Sequence, residues 1–461
     1  MSFHINQALH LPGPLYLAIA ETVQRAINLS ELLPGDRLPT HREMAEQLNV
    51  DVGTITRAYA ELKRRGLIAG EVGRGSFVRQ QKLQAPDTLG LATSERIIDL
   101  SHNFPSTSPQ NPELREMAEV LRGQFDLAAL MSFQADVGHP LHRAETARWL
   151  ANYGVTAAPS DIVLTAGAQH ALLLALQATT EAGDVVLTEN HTYYGAISAC
   201  TMLGRTVQGV DMDEQGLLPE ALDVACRRTG AKVLYCMPTL QNPTTATMGL
   251  ERRAAVAAVC ERHEVTIIED DVYSFLLPEP LPALWSLAPQ RTIYLSSLSK
   301  IVGPGLRFGF VVAPRQWQGR IAAALRSTTL MAPALMGELS TRLMRDGAMA
   351  RMAAARREQA EERQRWAQKL LPKDRNRSHP NAFHIWLKTG PAWSSEAFAA
   401  AAREHGVGVA AGSLFSVDPA RRENAVRICI SAAQDREALN DALDTLNRLL
   451  DDGPLVGRSI V

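Results

Sequence analysis

The sequence predicts an α/β protein in two parts: a small head of short helices and a hairpin, and a large domain on a mostly parallel sheet that ends in a smaller α+β unit. Three observations predict it. Cap and turn signals divide the first eighty residues into short amphipathic stretches. From Ile97 on, short β-branched runs alternate with long helical stretches, the pattern of a parallel sheet between helix layers. Between them, residues 81–96 carry Pro86 and polar residues without periodicity, as a linker does. These boundaries place the head at 12–80 and the large domain at 97–453.

The bulk numbers fit that division. A chain of 461 residues, 46 % hydrophobic and 21 % charged, is ordinary globular material for two or three domains. No window holds the eighteen or so uncharged apolar residues of a spanning helix, and the opening MSFHINQALHLPG lacks a basic segment followed by an apolar one, so a cytoplasmic location and no membrane partner are expected. Five cysteines without a Cys-x-x-Cys pair suggest neither a disulfide framework nor zinc, and His139 with His142 reads as packing, so no metal is expected. The net charge of −2 averages over unlike regions: Arg57 to Lys82 holds seven basic residues against Glu61 and Glu71, a surplus of five that suits a polyanion.

In the head, Gly13-Pro14 opens an amphipathic stretch from Leu15 to Leu29 that stops near Pro34-Gly35. Thr40 and Glu43 have capping-box spacing and start a second, short helix. Asp51 can cap a third, with Ile55, Tyr59 and Leu62 on one face. Two helices joined by a four-residue turn make a helix-turn-helix. EVGRGSFV then reads as a hairpin around Gly73-Arg74-Gly75. The run PGDRLPTHREMAEQLNVDVGTITRAYAELKRRGLIAGEVGRGSFV resembles the winged helix-turn-helix of GntR-type transcription regulators along its whole length. The resemblance implies double-stranded operator DNA as partner, with the third helix in the major groove and the wing in the neighbouring minor groove. It assigns DNA contacts to Arg42, Thr54, Arg57, Gly73 and Arg74. Asp51-Val52-Gly53-Thr54 stands where such proteins usually show Ser-Arg-Asn-Thr, so an arginine contact is missing.

Four pieces of the large domain carry chemistry. TAGAQHALLLAL is a strand end, a small-residue turn and a helix, where the N–H groups of Ala168 and Gln169 suit a phosphate. CMPTLQNPTTATM places Asn242 in a loop after a strand. IIEDDVYSFL ends a strand in carboxylates, with Tyr273 three residues beyond Asp270, where open α/β sheets bind ligands. SSLSKIVGPGLRFG joins Ser297, Ser299 and Arg307, all anion ligands, to Lys300, an amine able to form a Schiff base.

In this order the set resembles fold-type I aminotransferases over roughly residues 97 to 450, which implies pyridoxal 5′-phosphate as cofactor. The resemblance assigns Lys300 the internal aldimine and Asp270 the protonated pyridine nitrogen. Asn242 and Tyr273 would hold the phenolic oxygen, Tyr193 would stack on the ring, and Ala168, Gln169, Ser297, Ser299 and Arg307 would hold the phosphate. ENAVRICIS matches the segment that assigns Arg427 to an α-carboxylate. Departures are Phe133 in place of a tyrosine that donates to the partner subunit's phosphate, His191 for a proline, Thr245 for a glycine, and Pro380-Asn381-Ala382 without a Gly-Gly. A GntR-like head fused to such a domain looks like the MocR subfamily of regulators. That layout implies a homodimeric, cofactor-dependent regulator that senses an amino acid, amine or vitamer by aldimine chemistry at Lys300. The alternative is an aminotransferase that carries a DNA-binding domain.

Overall fold

Thr40 starts a helix by the reciprocal contacts its spacing predicts: its hydroxyl accepts from the Glu43 N–H at 3.3 Å, and the Glu43 carboxylate accepts from the Thr40 N–H at 2.7 Å. The computed structural model of the chain describes residues 14–28, 32, 36–64, 67–71, 75–78, 97–106, 112–123, 125–418 and 421–453. The chain divides into two units, Met1–Asp87 and Thr88–Val461.

The first unit holds α1 (Leu15–Asn28), α2 (His41–Leu48) and α3 (Val52–Arg64), then strands β1 (Ile68–Glu71) and β2 (Gly75–Val78). Helix α3 buries Ile55, Ala58, Tyr59 and Leu62, spaced three and four apart, in one core with Ile19 and Val23 of α1 and Met44 and Leu48 of α2. The Tyr59 hydroxyl donates to the Pro39 carbonyl at 2.7 Å, which satisfies its polar end inside that core. The turn between α2 and α3 is three residues, one fewer than expected. Asn49 reverses the chain in the left-handed region at φ 50°, and the Asp51 carboxylate accepts from the Gly53 N–H at 2.6 Å, so the helix restarts at once. β1 and β2 pair antiparallel from Ile68 opposite Val78 to Glu71 opposite Gly75. The hairpin tip, with Gly73 and Arg74, lies outside the described residues.

The second unit is built on seven strands: β3 (Ile162–Thr165), β4 (Val185–Glu189), β5 (Thr206–Val210), β6 (Val233–Cys236), β7 (Thr266–Asp270), β8 (Thr292–Ser297) and β9 (Gly309–Val312). Their order is β3-β9-β8-β7-β6-β4-β5. Only β9 runs antiparallel to its neighbours. Near-continuous apolar runs such as VLYC and TIIE are buried along their whole length, as a sheet covered on both faces requires. Helix α4 (Ala168–Thr179) follows β3 and α5 (Leu250–Arg262) precedes β7.

The long helix α6 (Ala348–Leu370) leads to the smaller α+β part. That part holds β10 (Asn376–Arg377), β11 (Ile385–Lys388), β12 (Ala410–Ala411) and β13 (Ala425–Ile428) in the antiparallel order β10-β11-β13-β12, with α7 (Arg436–Asp452) on the same core. Several arginines of α6 face inward. Arg356 is buried and donates from Nε to the carbonyl of Ile301, next to Lys300, at 3.0 Å, and Arg363 donates to the carbonyls of Ile430 and Ala433. These arginines join the two parts of the domain through backbone acceptors.

Candidate functional site

The carboxyl ends of β7 and β8, the N-terminus of α4 and the loop after β6 meet at a cleft. Parallel strands must place it there, because each strand ends on the same edge and hands the chain to a loop. Ala168, Gln169, Tyr193, Asn242, Asp270, Tyr273, Ser297, Ser299, Lys300 and Arg307, from five separate stretches of sequence, all line it. Arg427 stands behind this wall on β13, fully buried. Its Nη1 donates to the Asn242 side-chain oxygen at 2.7 Å and its Nη2 to the Ser101 carbonyl at 2.6 Å, while Nε has no partner.

At one end of the cleft, the first N–H groups of α4 have no intrahelical acceptor and carry the positive end of the helix dipole. Gly167 caps the helix at φ 90°, and a Cβ there would meet Arg307 Nη2 at 2.6 Å. A Cβ on Gly309 would lie 2.5 Å from the Gly167 carbonyl carbon, so backbone packs on backbone. Arg307, in the left-handed region at φ 47°, donates to the Ala166 carbonyl at 2.6 Å, and Ser297 donates to Ser299 Oγ at 3.0 Å. Two hydroxyls, a guanidinium and a helix N-terminus form a cradle for a phosphate.

At the other end, the Tyr235 hydroxyl donates to Asp270 Oδ2 at 2.8 Å, while the buried Oδ1 has no partner. Burial pushes the Asp270 carboxyl up to about 7, against the lowering pull of the Tyr235 hydrogen bond, and Asp271 adds to the rise. Burial and the nearby Arg427 charge bring Lys300 down to about 7. Lys300 Nζ donates to the Asn103 carbonyl and sits 3.8 Å from the centre of the Phe104 ring. The Tyr273 hydroxyl accepts from Asn103 Nδ2 at 2.7 Å and keeps its own proton for donation. The same amide lies 3.0 Å from Nδ1 of His384, whose Nε2 lies 3.0 Å from the Gln241 carbonyl. Nε2 therefore carries the proton, and burial lowers this imidazole to about 3, so it is neutral.

Asn103, Phe104, Tyr235 and His384 are parts of the site that the motifs did not reveal. Tyr235 had one signal: it lies in β6 opposite Ile268 of the parallel neighbour, close to the end where Asp270 stands.

These groups fit pyridoxal 5′-phosphate. The orphaned buried oxygen of Asp270 is placed for a ring N–H, and the anion cradle takes the phosphate. Asn242 and Tyr273 present donors between them, and Lys300 is an amine that loses its proton near neutrality. Bound, the cofactor supplies an aldehyde for a primary amine and a ring that draws electrons from it. The low pKa of Lys300 sets a pH dependence. Capture of added cofactor by the apo protein, followed by visible absorbance, is expected to rise through pH 7 and level off well below the ordinary lysine value of 10.5. A midpoint near 10 would contradict the burial of this amine.

The comparisons agree with the geometry. The profile of aminotransferase class I and II matches residues 95–446, and that of the gntR family of bacterial regulatory proteins matches residues 15–78. An uncharacterized HTH-type transcriptional regulator of Bacillus subtilis, YdeF, is 30 % identical over 95 % of both chains. The HTH-type transcriptional regulator TauR of Rhodobacter capsulatus is 30 % identical over 91 % of this chain and 93 % of its own. Among solved structures, the α-aminoadipate aminotransferase LysN of Thermus thermophilus, complexed with N-(5′-phosphopyridoxyl)-L-leucine, superposes with a TM-score of 0.69 at 27 % identity, over 78 % of this chain and 93 % of its own. An archaeal alanine:glyoxylate aminotransferase gives 0.72 at 24 % identity, over 78 % and 92 %. Class I and II aminotransferase domains use pyridoxal 5′-phosphate, and that is the cofactor of this protein. With both profiles matched and full-length regulators at 30 % identity, the chain belongs to the MocR subfamily of GntR-type transcription regulators, a winged helix-turn-helix ahead of an aminotransferase-like domain.

Proposed function

We propose that this regulator senses an amino acid, amine or vitamer by amine exchange at Lys300 and reports it through operator DNA. The observation that carries the reading is Lys300 itself. It is an amine held near neutrality in a cleft with a buried carboxylate at one end and an anion cradle at the other, in the same chain as a capped helix-turn-helix. With the cofactor bound, Asp270 would hold the ring nitrogen's proton, Tyr273 and Asn242 would orient the ring, Tyr193 would cover its face, and Arg427 would receive a carboxylate. In the head, Arg42 and Arg57 are exposed and Thr54 is half-buried on α3, which suits contacts to phosphates and base edges. Gly73 and Arg74 are proposed for the wing by resemblance alone.

A homodimer is part of the proposal. Leu127, Met131, Phe133, Leu141 and Leu330 are exposed apolar side chains, four of them within fifteen residues of one another, and Phe133 is 71 % exposed. Such a concentration suits a second copy of the chain. No described helix is long and apolar enough to cross a membrane, and a cytoplasmic site of action is proposed with the DNA partner.

The second reading, a transaminase with a DNA-binding head, is favoured by the filled set of cofactor ligands and by a 2-aminoadipate transaminase of Thermus thermophilus, 29 % identical over 75 % of this chain and 87 % of its own. One experiment separates the two. A panel of amino acids and amines is added to the cofactor-loaded protein, while visible absorbance, keto acid release and binding to the DNA upstream of its own gene are followed. A spectral change with altered DNA binding and without sustained turnover is expected. Arg57→Ala is expected to weaken DNA binding by about tenfold or more and leave the spectral change intact. Sustained turnover with unaltered DNA binding would favour the enzyme.

A further inference from the structure

The first described residues after the head and linker, 97–106, run directly into the site. Their ends are tied to the smaller α+β part. Ile98–Asp99 pairs parallel with Val407–Gly408, the Cys429 N–H donates to the Leu100 carbonyl at 2.8 Å, and the Ser106 N–H donates to the Ser431 carbonyl at 2.9 Å. Between these ties, the segment spends its polar groups on residues that the ligand engages. The Ser101 carbonyl accepts from Arg427 Nη2, the Asn103 carbonyl accepts from Lys300 Nζ, and Asn103 Nδ2 donates to the Tyr273 hydroxyl. Phe104 closes the cleft beside Lys300.

Packing alone does not account for this. Ser101, His102 and Phe104 are only half-buried, and the buried Asn103 leaves its side-chain oxygen without a partner. A segment placed only to fill a core would present apolar side chains and satisfied amides. A planar anion pairs with two adjacent donors of a guanidinium; on Arg427 Nε has no partner, and Nη2 beside it already serves the Ser101 carbonyl, so a carboxylate that uses this pair has to share Nη2 with that carbonyl.

We propose that residues 97–106 are the strap that reports occupancy to the head: a ligand carboxylate on Arg427 displaces the Ser101 carbonyl and loosens the segment that continues into the linker. The proposal rests on the amine-sensing reading and narrows it. The switching ligand is an amino acid with an α-carboxylate. A simple amine of the same side chain fills the cleft and leaves the strap in place, because it brings nothing to compete for Arg427. A ligand shifts an equilibrium only by its differential contacts, and the carboxylate is that difference here.

Two stable probes test this without any exchange chemistry: N-(5′-phosphopyridoxyl)-L-leucine and the matching adduct of 3-methylbutylamine, which lacks only the carboxylate. Each is bound to the full-length apo protein, with binding followed by absorbance, and amide hydrogen exchange is read over residues 97–106. The leucine adduct is expected to speed exchange at Ser101 to Ser106 by about tenfold or more, the value of one lost hydrogen bond to a charged group. The amine adduct should leave it as slow as in the cofactor-loaded protein. Asn103→Ala should show the fast rate with cofactor alone. If both adducts bind and exchange is the same with each, or Asn103→Ala exchanges as slowly as wild type, the strap is overturned and the sensing site stands. If neither adduct binds, the cofactor-site reading falls and the strap with it.

Discussion

Lys300→Ala is expected to abolish completely the mass increment that borohydride reduction fixes on the wild-type chain, and to leave no visible band on protein recovered from gel filtration. The cradle of Ser297, Ser299 and Arg307 survives in this variant, so phosphate-dependent binding persists in weakened form and washes out on gel filtration. The fold should hold. Lys300 Nζ makes one hydrogen bond to a backbone carbonyl and lies over an aromatic ring, and its removal takes a poorly solvated amine out of the interior. An unchanged thermal transition with no visible band is the expected pair of results. Retention of the band would assign the covalent bond to another residue.

Arg427→Lys should raise the concentration of an α-amino acid needed for the spectral response by about a hundredfold, since a point charge replaces a fork that matches a carboxylate with two parallel hydrogen bonds. Simple amines should respond at nearly their wild-type concentrations. This split is the informative result: a general loss of response to both ligand classes would mean that Arg427 serves the architecture of the site, through Asn242 and Ser101, more than the ligand. Its ring neighbour Phe415, with the guanidinium carbon 4.7 Å from the ring centre, keeps the site shielded from water, where a lost charge pair is most costly.

Much of the architecture is visible in local sequence signals. The capping box at Thr40 and Glu43 and the apolar spacing of Ile55, Tyr59 and Leu62 are short-range patterns, and the fold realises them as such. The same holds for the strand that ends at Asp270 and the hydroxyl run before Lys300, because each motif keeps its chemistry within a dozen residues. The part that stayed hidden is held by distant partners. Asn103 reaches Tyr273 across 170 positions and His384 across 281, and a lone asparagine in a polar stretch carries no pattern that would say so. Tyr235 reads as one more apolar residue of a buried strand until the parallel register sets its hydroxyl against Asp270. Nor does the sequence of α6 say which of its many arginines turn inward: Arg356 and Arg363 reach backbone carbonyls that only the folded domain brings near. The turn before α3 is shorter than expected for a local reason, the left-handed Asn49.

The contact of Gly309 with Gly167 has a mechanical meaning. No side chain stands between the strand that follows the lysine loop and the turn that opens the phosphate-binding helix, so the spacing of these two anchors cannot relax by a change of rotamer. This wall acts as a fixed gauge for the anion cradle, set before the cofactor arrives. A gauge of that stiffness transmits no news of which amine has come. The strap proposed above differs in kind: Ser101 and Asn103 are held to Arg427, Lys300 and Tyr273 by single hydrogen bonds, which can be exchanged one at a time.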